Sequence, residues 1–285
     1  DDDSTDNTVN ILKNFQKTAP FKVNIIKNKN NLGYTKNFEK ALSLCTGDII
    51  FFSDQDDIWL SNKISTVEKL FNSKPDISLI IHDGELVNEH LDLTGLSKLS
   101  QIRSGGYTDD SFVTGALSAT RRDILNILLP FPDEISGGHD GWVHTIARLV
   151  DRRIIIDTIL QKLRRHSQNT SEWVASSTKK INKIDVTVNQ FLTTPATSYS
   201  DRLFYNDSLT KRFSTIEDGF VSCIYIIDHM KIKQHLKAEK VSIAKRQELL
   251  SRGFLGRKIS AISMLIGANY YHFNGLRSFL RDILR

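Results

Sequence analysis

The chain has 285 residues, of which 40% are hydrophobic and 25% are charged, a globular composition that excludes a disordered or fibrous protein. Its two cysteines form neither a disulfide framework nor a metal-binding spacing, and no apolar run reaches the ~18 residues that span a bilayer. The net charge of +5 is unevenly distributed, because residues 1–173 carry −4 and residues 174–285 carry +9. A basic C-terminal region fits an anionic neighbour, such as a lipid surface, and a solvated helical face equally well.

Apolar spacing predicts alternating helices and strands in the first part of the chain. In chain order these are a helix at 5–17, a strand at 21–26, a helix at 34–44, a strand at 48–53, a helix at 60–71, a strand at 78–82, an extended segment at 111–119, helices at 122–129 and 139–150, and a strand at 153–163. Such alternation is typical of an α/β fold with a mainly parallel sheet flanked by helices.

The pattern changes to helix with frequent Lys and Arg at about residue 174. We therefore predict two regions, an α/β catalytic domain at 1–173 and a helical, basic region at 174–285. Near the end, GRKISAISMLIGANYYHFNGLRSFLRDILR mixes apolar and basic residues at helical spacing. This spacing suits a helix that lies in a membrane interface, and it suits a partner-binding helix or a helical subdomain equally well.

Three carboxylates follow directly on the apolar strand predicted at 48–53: Asp54, Asp56 and Asp57. In parallel α/β sheets, ligands bind at the carboxyl ends of the strands. Crowded like charges repel one another, and a divalent cation, which prefers carboxylate oxygens, removes that repulsion. Helix capping would account for only one of the three. The sequence therefore favours a site for a metal and a phosphate here.

Six segments resemble, in order and spacing, the inverting glycosyltransferases of family 2. They are DDDSTDNT at 1–8, NNLGYTKNFEKAL at 30–42, GDIIFFSDQDDIW at 47–59, VTGALSATRR at 113–122, GGHDGW at 137–142 and LRRHSQNTS at 163–171. The run DQDDIW is similar to the bacterial rhamnosyltransferase-like branch. The resemblance covers about residues 1–170 and implies a GT-A fold, which binds nucleotide-diphosphosugars, and a transferase of cell-surface polysaccharide synthesis.

The resemblance also implies roles for individual residues. The donor-binding residues would be Asp1, Asp2, Asn31, Gly33, Lys36, Asp54 and Asp56. Asp56 and His166 would hold Mg²⁺ or Mn²⁺, and Asp140 would be the catalytic base. The acceptor would contact Gly115, His139 and Trp142, whereas we expect Trp59 in the core. Asp3 stands where the family usually has glycine.

The resemblance further implies partners, a location and an incomplete domain. The donor would be dTDP- or UDP-linked, and the acceptor a glycan or a lipid-linked molecule. We expect the protein in the cytoplasm, at the inner face of the cell membrane, with its basic region on anionic lipid and without nucleic acid. The family's opening strand, helix and second strand would precede Asp1, so we expect this sequence to be a fragment whose activity needs those strands.

The proposed chemistry needs few groups. A departing diphosphate carries charge that a carboxylate-held cation neutralises, and the acceptor hydroxyl needs a base on the opposite face of the sugar. In-line attack then inverts the anomeric centre without a covalent intermediate. Asp140, at the start of a predicted helix, suits the base, although the residue pattern alone slightly favours a helix cap.

Two other functions fit part of the pattern. Haloacid dehalogenase-type phosphohydrolases also have a buried strand that ends in DxD, with the first Asp as nucleophile. Ile58 stands where such enzymes have Thr or Val, and no second acidic pair follows an apolar strand. A nucleotide-sugar-binding module that has lost its activity is the non-enzymatic alternative, and turnover distinguishes it from an enzyme.

Overall fold

The computed structural model describes residues 1–135, 137–167, 169, 173–192, 199–217 and 227–284. Its six strands are β1 (Ile49–Phe51), β2 (Ile58–Trp59), β3 (Leu79–Val87), β4 (Leu93–Ser97), β5 (Ser118–Arg121) and β6 (Arg153–Arg164). They form one sheet in the order β1-β5-β3-β6-β2, with β4 beside the far end of β3.

The helices of the α/β part are α1 (Thr8–Thr18), α2 (Tyr34–Ser43), α3 (Lys63–Ser73), α4 (Lys98–Ser104), α5 (Leu125–Leu128) and α6 (Gly138–Leu149). The C-terminal part contains α7 (Lys183–Leu192), α8 (Tyr199–Glu217), α9 (His229–Ser251), α10 (Phe254–Ile266) and α11 (Leu276–Leu284). The predicted α/β class and the helical C-terminal region are thus confirmed.

The sheet is less parallel than the alternation predicts. Among the described strands, only β3 and β6 pair in parallel, while β1 with β5, β5 with β3, β3 with β4, and β2 with β6 are antiparallel. Local apolar spacing predicts where a strand lies, but its direction of pairing depends on partners that are remote in sequence. The expectation of a mainly parallel sheet is therefore corrected to a mixed sheet.

Several local elements differ from the prediction. The predicted strand at 21–26 does not enter the sheet; its end meets the first residue, because the Asp1 amino group donates to Ile26 O and Asn28 N donates to Asp1 O, both at 2.9 Å. The segment at 111–119 contains 3₁₀ turns before β5 begins. The sequence analysis missed β4 and α4, where Ser97 caps α4 in a capping box with Ser100.

The main core crosses the predicted boundary between the two regions. One buried cluster joins β1, α2, α5 and α6 to α8 and α9, with Trp142 and Phe213 both at 0% exposure. In the same area Tyr205 of α8 donates a 2.9 Å hydrogen bond to Gly141 O of α6. Helices α8 and α9 therefore support the element that carries Asp140. The boundary at residue 173 stays a prediction.

Candidate active site

A cavity of about 600 Å³ opens where β1, β3 and β6 end and antiparallel β5 begins. Four parts of the chain that are remote in sequence line it: residues of 54–57, of 113–116, of 137–140, and of 164–166 together with 169. Trp173 and Ser176 complete one side, and Tyr34 and Phe38 of α2 another. The fold thus brings five of the six family-like segments to one place.

The acidic loop after β1 is held in place by hydrogen bonds between Asp57 and strand β6. The ligand-capable atoms of Asp54, Asp56 and Asp57 lie within 4.8 Å of one another. Asp57 is bonded at both oxygens, since it accepts from Arg164 N at 3.0 Å and from Gln161 Nε2 at 2.7 Å. Burial, together with the charge of Asp56, raises the pKa of Asp57 to about 6. Asp57 therefore acts as an anchor of the loop, and Asp54 and Asp56 face the cavity.

A buried lysine that the sequence analysis missed lies under this loop. Lys63 is 0% exposed, and its ammonium lies 4.0 Å from the centre of the Trp59 ring. It donates to Gln161 Oε1, the partner of Asp57, and at 3.2 Å to Ala116 O. Burial lowers its pKa to about 7. Lys63 thereby connects the acidic loop to segment 113–116. The sequence indicated this role only by a lysine beside apolar residues at the start of a predicted helix.

Asp56 meets the segment that follows β6. His166 Nε2 lies 2.9 Å from Asp56 Oδ2, and Asn169 Nδ2 donates to the same oxygen at 3.1 Å. Asn169 also accepts from His166 N at 2.7 Å, which fixes the turn. Adjacent ligands of an octahedral divalent ion with bonds near 2.1 Å lie ~3 Å apart. The 2.9 Å between His166 Nε2 and Asp56 Oδ2 matches that spacing, and the ligand-capable atoms of the three aspartates 54, 56 and 57 lie within 4.8 Å of one another. Asn169 is a contact that the sequence analysis missed.

Asp140 begins α6 and faces the acidic loop across the cavity. Its Oδ2 accepts from Gly115 N at 2.8 Å, and its Oδ1 lies 2.6 Å from His139 Nε2. Burial by itself raises the pKa of this carboxyl, but the contacts with His139 and Gly115 outweigh it and hold the pKa below the ordinary value. For Asp54, desolvation and the charges of Asp140 and Asp56 raise the pKa. The surroundings thus lower the pKa of Asp140 and raise the pKa of Asp54.

Gly115 and His139 both serve to position Asp140. A Cβ at Gly115 would lie 2.3 Å from Asp140 Oδ1 and 2.9 Å from His139 Nε2, so only glycine allows this approach. The His139 ring stacks on Phe38 with centroids 3.9 Å apart. His139 lines the cavity, whereas Gly115 is buried behind it.

Trp142 lies in the core, contrary to the expectation that it contacts an acceptor. It is 0% exposed, and its Nε1 donates to Leu128 O at 2.9 Å. Trp142 lies two residues after Asp140, on the opposite side of α6, where it faces α5 and α8 instead of the cavity. Trp59, expected in the core, is partly buried between Phe51 and Lys63.

Of the predicted donor-binding residues, Asp54 and Asp56 line this cavity, whereas the other five do not. Asp2 and Asn31 hold each other in place. Asp2 accepts from Asn28 Nδ2 and from Leu32 N, both at 2.8 Å, and Asn31 Nδ2 donates to Asp2 O at 2.9 Å. Asp3 has φ +67°, the left-handed conformation that explains why glycine suits this turn.

Asp1 and Lys36 have different surroundings. Asp1 Oδ1 accepts from Ser4 N at 3.2 Å, while its buried Oδ2 has no partner among the residues that the structure describes. Lys36 Nζ donates to Phe131 O at 3.0 Å and lies 2.9 Å from Glu39, so it joins α2 to the loop after α5. Gly33, with φ +78° and open space around its Cα, begins α2.

Comparison with known proteins defines the class of the chain. Residues 1–128 match the sequence profile of the family described as "Glycosyl transferase family 2". Residues 1–128, which are less than half of the chain, are thus similar to a family 2 glycosyltransferase domain, in agreement with the resemblance found in the sequence. The match favours a transferase over the haloacid dehalogenase alternative.

Two curated proteins are similar over short stretches. The "dTDP-rhamnosyl transferase RfbG" of Shigella flexneri is 48% identical over 68 residues, which are 22% of this chain and 24% of that protein. An uncharacterised glycosyltransferase of Nostoc is 29% identical over 82 residues, 29% of this chain and 25% of that protein. The matched stretches thus span about a quarter of both relatives.

Solved structures align over nearly the whole chain at low identity. A mannosyltransferase of Pyrobaculum calidifontis, in complex with GDP-Man and Mn²⁺, is 16% identical with a TM-score of 0.42, covering 100% of this chain and 75% of that one. Residues 1–349 of S. aureus TarS, in complex with UDP-GlcNAc, are 14% identical with a TM-score of 0.49, covering 99% and 79%. Among the described residues, no helix combines the length and the apolar character needed to cross a bilayer.

Proposed function

We propose that this chain belongs to a metal-dependent inverting glycosyltransferase that moves a sugar from a nucleotide diphosphate to a hydroxyl group. The observation that carries the proposal is the convergence, in one cavity, of an acidic loop with a histidine and a separate carboxylate of lowered pKa. These are the groups that the departing diphosphate and the attacking hydroxyl need.

Asp54, Asp56 and His166 would hold the divalent cation, Mg²⁺ or Mn²⁺. When bound, such a cation neutralises the charge that develops on the leaving diphosphate. The spacing of 2.9 Å between His166 Nε2 and Asp56 Oδ2 supports this ligand pair. Asp57 and Lys63 hold the loop in position from the protein side through Gln161.

Asp140 would act as the base. Its lowered pKa leaves the carboxylate ionised at neutral pH, and Gly115 N fixes one of its oxygens. The acceptor hydroxyl would give its proton to Asp140 as its oxygen attacks the anomeric carbon from the face opposite the diphosphate, which inverts that centre. Gly115 and His139 act by positioning this carboxylate.

The identities of donor and acceptor are finer proposals. The match to a dTDP-rhamnosyl transferase supports a dTDP- or UDP-linked donor, with rhamnose as the sugar. We propose a glycan or lipid-linked acceptor in polysaccharide synthesis. The residues proposed to bind the nucleotide are still Asp1, Asp2, Asn31, Gly33 and Lys36. The buried Asp1 Oδ2, which has no described partner, supports a ligand there.

We also propose that the reaction takes place in the cytoplasm at the inner face of the membrane. The net charge of +9 in residues 174–285 supports an anionic surface as a partner of the helical region. No feature of the sequence supports nucleic acid as a partner.

The test is calorimetric titration of dTDP and of UDP into the chain, with Mn²⁺ and with EDTA. We expect binding that needs Mn²⁺ and is lost in Asp56→Ala, while Asp76→Ala, an exposed aspartate, leaves it intact. The nucleotide that binds more tightly identifies the donor base. Absence of binding with Mn²⁺ in this chain and in one extended before Asp1 would overturn the proposal. Binding without turnover would instead support the inactive binding module.

A further inference from the structure

Helix α10 presents an apolar row to solvent. Leu255, Ile259, Ile262 and Ile266 are spaced by four, three and four residues, which places them on one face of the helix. Their exposed fractions are 73%, 68%, 47% and 82%. The opposite face already packs, since Ala261 and Met264 are buried in a C-terminal cluster. Core packing therefore does not account for this row.

Helix α11 repeats the pattern beside it. Leu276, Leu280 and Leu284 recur every four residues and are all exposed, whereas Phe279 and Ile283 pack against the same C-terminal cluster. Helix α11 contacts α10, so the two helices that carry these rows are neighbours. Single exposed apolar residues are ordinary, but contiguous rows of them indicate an interaction surface. We call these seven residues the C-terminal apolar face.

The charge around this face has one sign. Residues 252–285 contain six Lys and Arg but a single carboxylate, Asp282. Asp282 is buried and bonded to Arg246 at 2.8 and 3.0 Å and to the Tyr270 hydroxyl at 3.0 Å, so its charge is not presented to solvent. Lys258 lies within the α10 row, with its ammonium 4.1 Å from the Phe254 ring centre. Such a lysine covers apolar surface with its stem while its charge reaches outward.

We propose that the C-terminal apolar face docks on an anionic lipid bilayer, with its leucines and isoleucines at the headgroup boundary and its cations against lipid phosphates. An apolar row on helices that carry mostly cations fits that surface, although Arg252 is paired with Glu248. A second copy of the chain would bring cations against cations, which opposes self-association through the same face. The inference rests on the proposed function only in one respect, namely that the reaction takes place at a membrane.

The experiment is flotation of the full chain with phosphatidylcholine vesicles, with and without phosphatidylglycerol. We expect the protein to float with the anionic vesicles and only weakly with the neutral ones. Replacing two members of the face, Ile259→Ser with Ile266→Ser, should lower the partition coefficient roughly tenfold or more. The control replaces two exposed residues elsewhere, Leu93→Ser with Ile184→Ser, and should float as the wild type does.

Because all four substituted residues are exposed, both variants should keep the wild-type melting temperature. Flotation of the Ile259→Ser, Ile266→Ser variant at the wild-type level, or no flotation of the wild type, would overturn the inference. A dimer that forms without vesicles and that this variant abolishes would assign the face to a second copy instead. Flotation needs neither donor nor turnover, so its failure is distinguishable from failure of the proposed function.

Discussion

The contact between Gly115 and Asp140 shows how narrowly the Asp140 carboxylate, the proposed base, is positioned. The backbone N–H of Gly115 reaches the carboxylate at 2.8 Å, and His139 Nε2 lies 2.6 Å from the other oxygen. Buried charge-assisted contacts of this kind hold a carboxylate both in place and ionised. At this scale, the site depends on the absence of a single methyl group.

The substitution Gly115→Ala tests that dependence. The new Cβ would meet Asp140 Oδ1 at 2.3 Å, so the carboxylate must move. We expect kcat to fall roughly 100-fold or more, since a displacement of ~1 Å can have that effect. Turnover with the donor identified by titration measures it. Gly253→Ala, which meets nothing within 4 Å, is the control, and an unchanged kcat in Gly115→Ala would contradict the prediction.

The substitution Asp140→Asn tests the role of the carboxylate itself. Asparagine keeps an oxygen for Gly115 N but is not a base, so we expect kcat to fall roughly 10²- to 10⁴-fold. Nucleotide binding, measured by calorimetry with Mn²⁺, should remain at the wild-type level. Loss of binding with intact folding would place Asp140 in the donor site rather than at the acceptor.

At the element scale, a buried chain of polar groups joins β6, α6 and β5. Arg153 Nη1 lies 3.4 Å from His144 Nδ1, and His144 Nε2 lies 2.9 Å from Ser118 Oγ, which donates to Thr114 O at 2.8 Å. Since Arg153 can only donate, His144 Nδ1 accepts and Nε2–H donates to Ser118. This series of hydrogen bonds ends at Thr114 and holds it in place. Since Thr114 precedes Gly115, the series also supports the position of Gly115 in the site.

The protonation of His144 should lower stability in acid. Burial, together with the charge of Arg153, lowers its folded pKa to about 3, against an ordinary value of 6.5. Between these values the unfolded state binds the proton and the folded state does not, so stability falls as the pH falls below 6.5. We expect this residue to contribute a loss of roughly 1.4 kcal/mol per pH unit.

Urea unfolding between pH 5 and pH 7 measures this contribution. In His144→Gln, the fall in unfolding free energy with decreasing pH should be smaller by the equivalent of one proton, whatever the variant's stability at pH 7. His90→Gln changes an exposed histidine and should leave the pH dependence as in the wild type. Equal slopes for His144→Gln and wild type would contradict the assignment.

For the whole molecule, the core that crosses residue 173 is the decisive feature. Phe213 of α8 is fully buried in the cluster that also contains Trp142 and Ile146 of α6. The Trp142 and Tyr205 rings meet edge to face with centroids 5.9 Å apart. The helical region therefore packs on the catalytic helix, and we expect the two regions to unfold together.

The substitution Phe213→Ala tests this coupling. Removal of a fully buried phenylalanine should lower the free energy of unfolding by about 3–5 kcal/mol. We expect one transition, seen at the same urea concentration by tryptophan fluorescence and by circular dichroism. Phe204→Ala, on the same helix but 47% exposed, should cost about 1 kcal/mol or less. Two separated transitions would show that the regions fold independently.

The sequence by itself determined the α/β class of the protein and indicated a candidate chemistry for its site. Apolar spacing located most helices and strands, because periodicity is a local property. The types and order of Asp54, Asp56, Asp140 and His166 predicted the catalytic groups, because metal binding and proton transfer need particular functional groups. The family match over residues 1–128 includes Asp54 and Asp56 but neither Asp140 nor His166.

Only the tertiary structure decided which of these groups meet and what supports them. The direction of strand pairing, the burial of Trp142 and the ammonium of Lys63 beneath the acidic loop all depend on contacts between residues that are remote in sequence. A tryptophan in the core and one in a cavity look alike in a sequence, since both are large and apolar. Their difference lies in the packing of neighbouring elements, which no local pattern encodes.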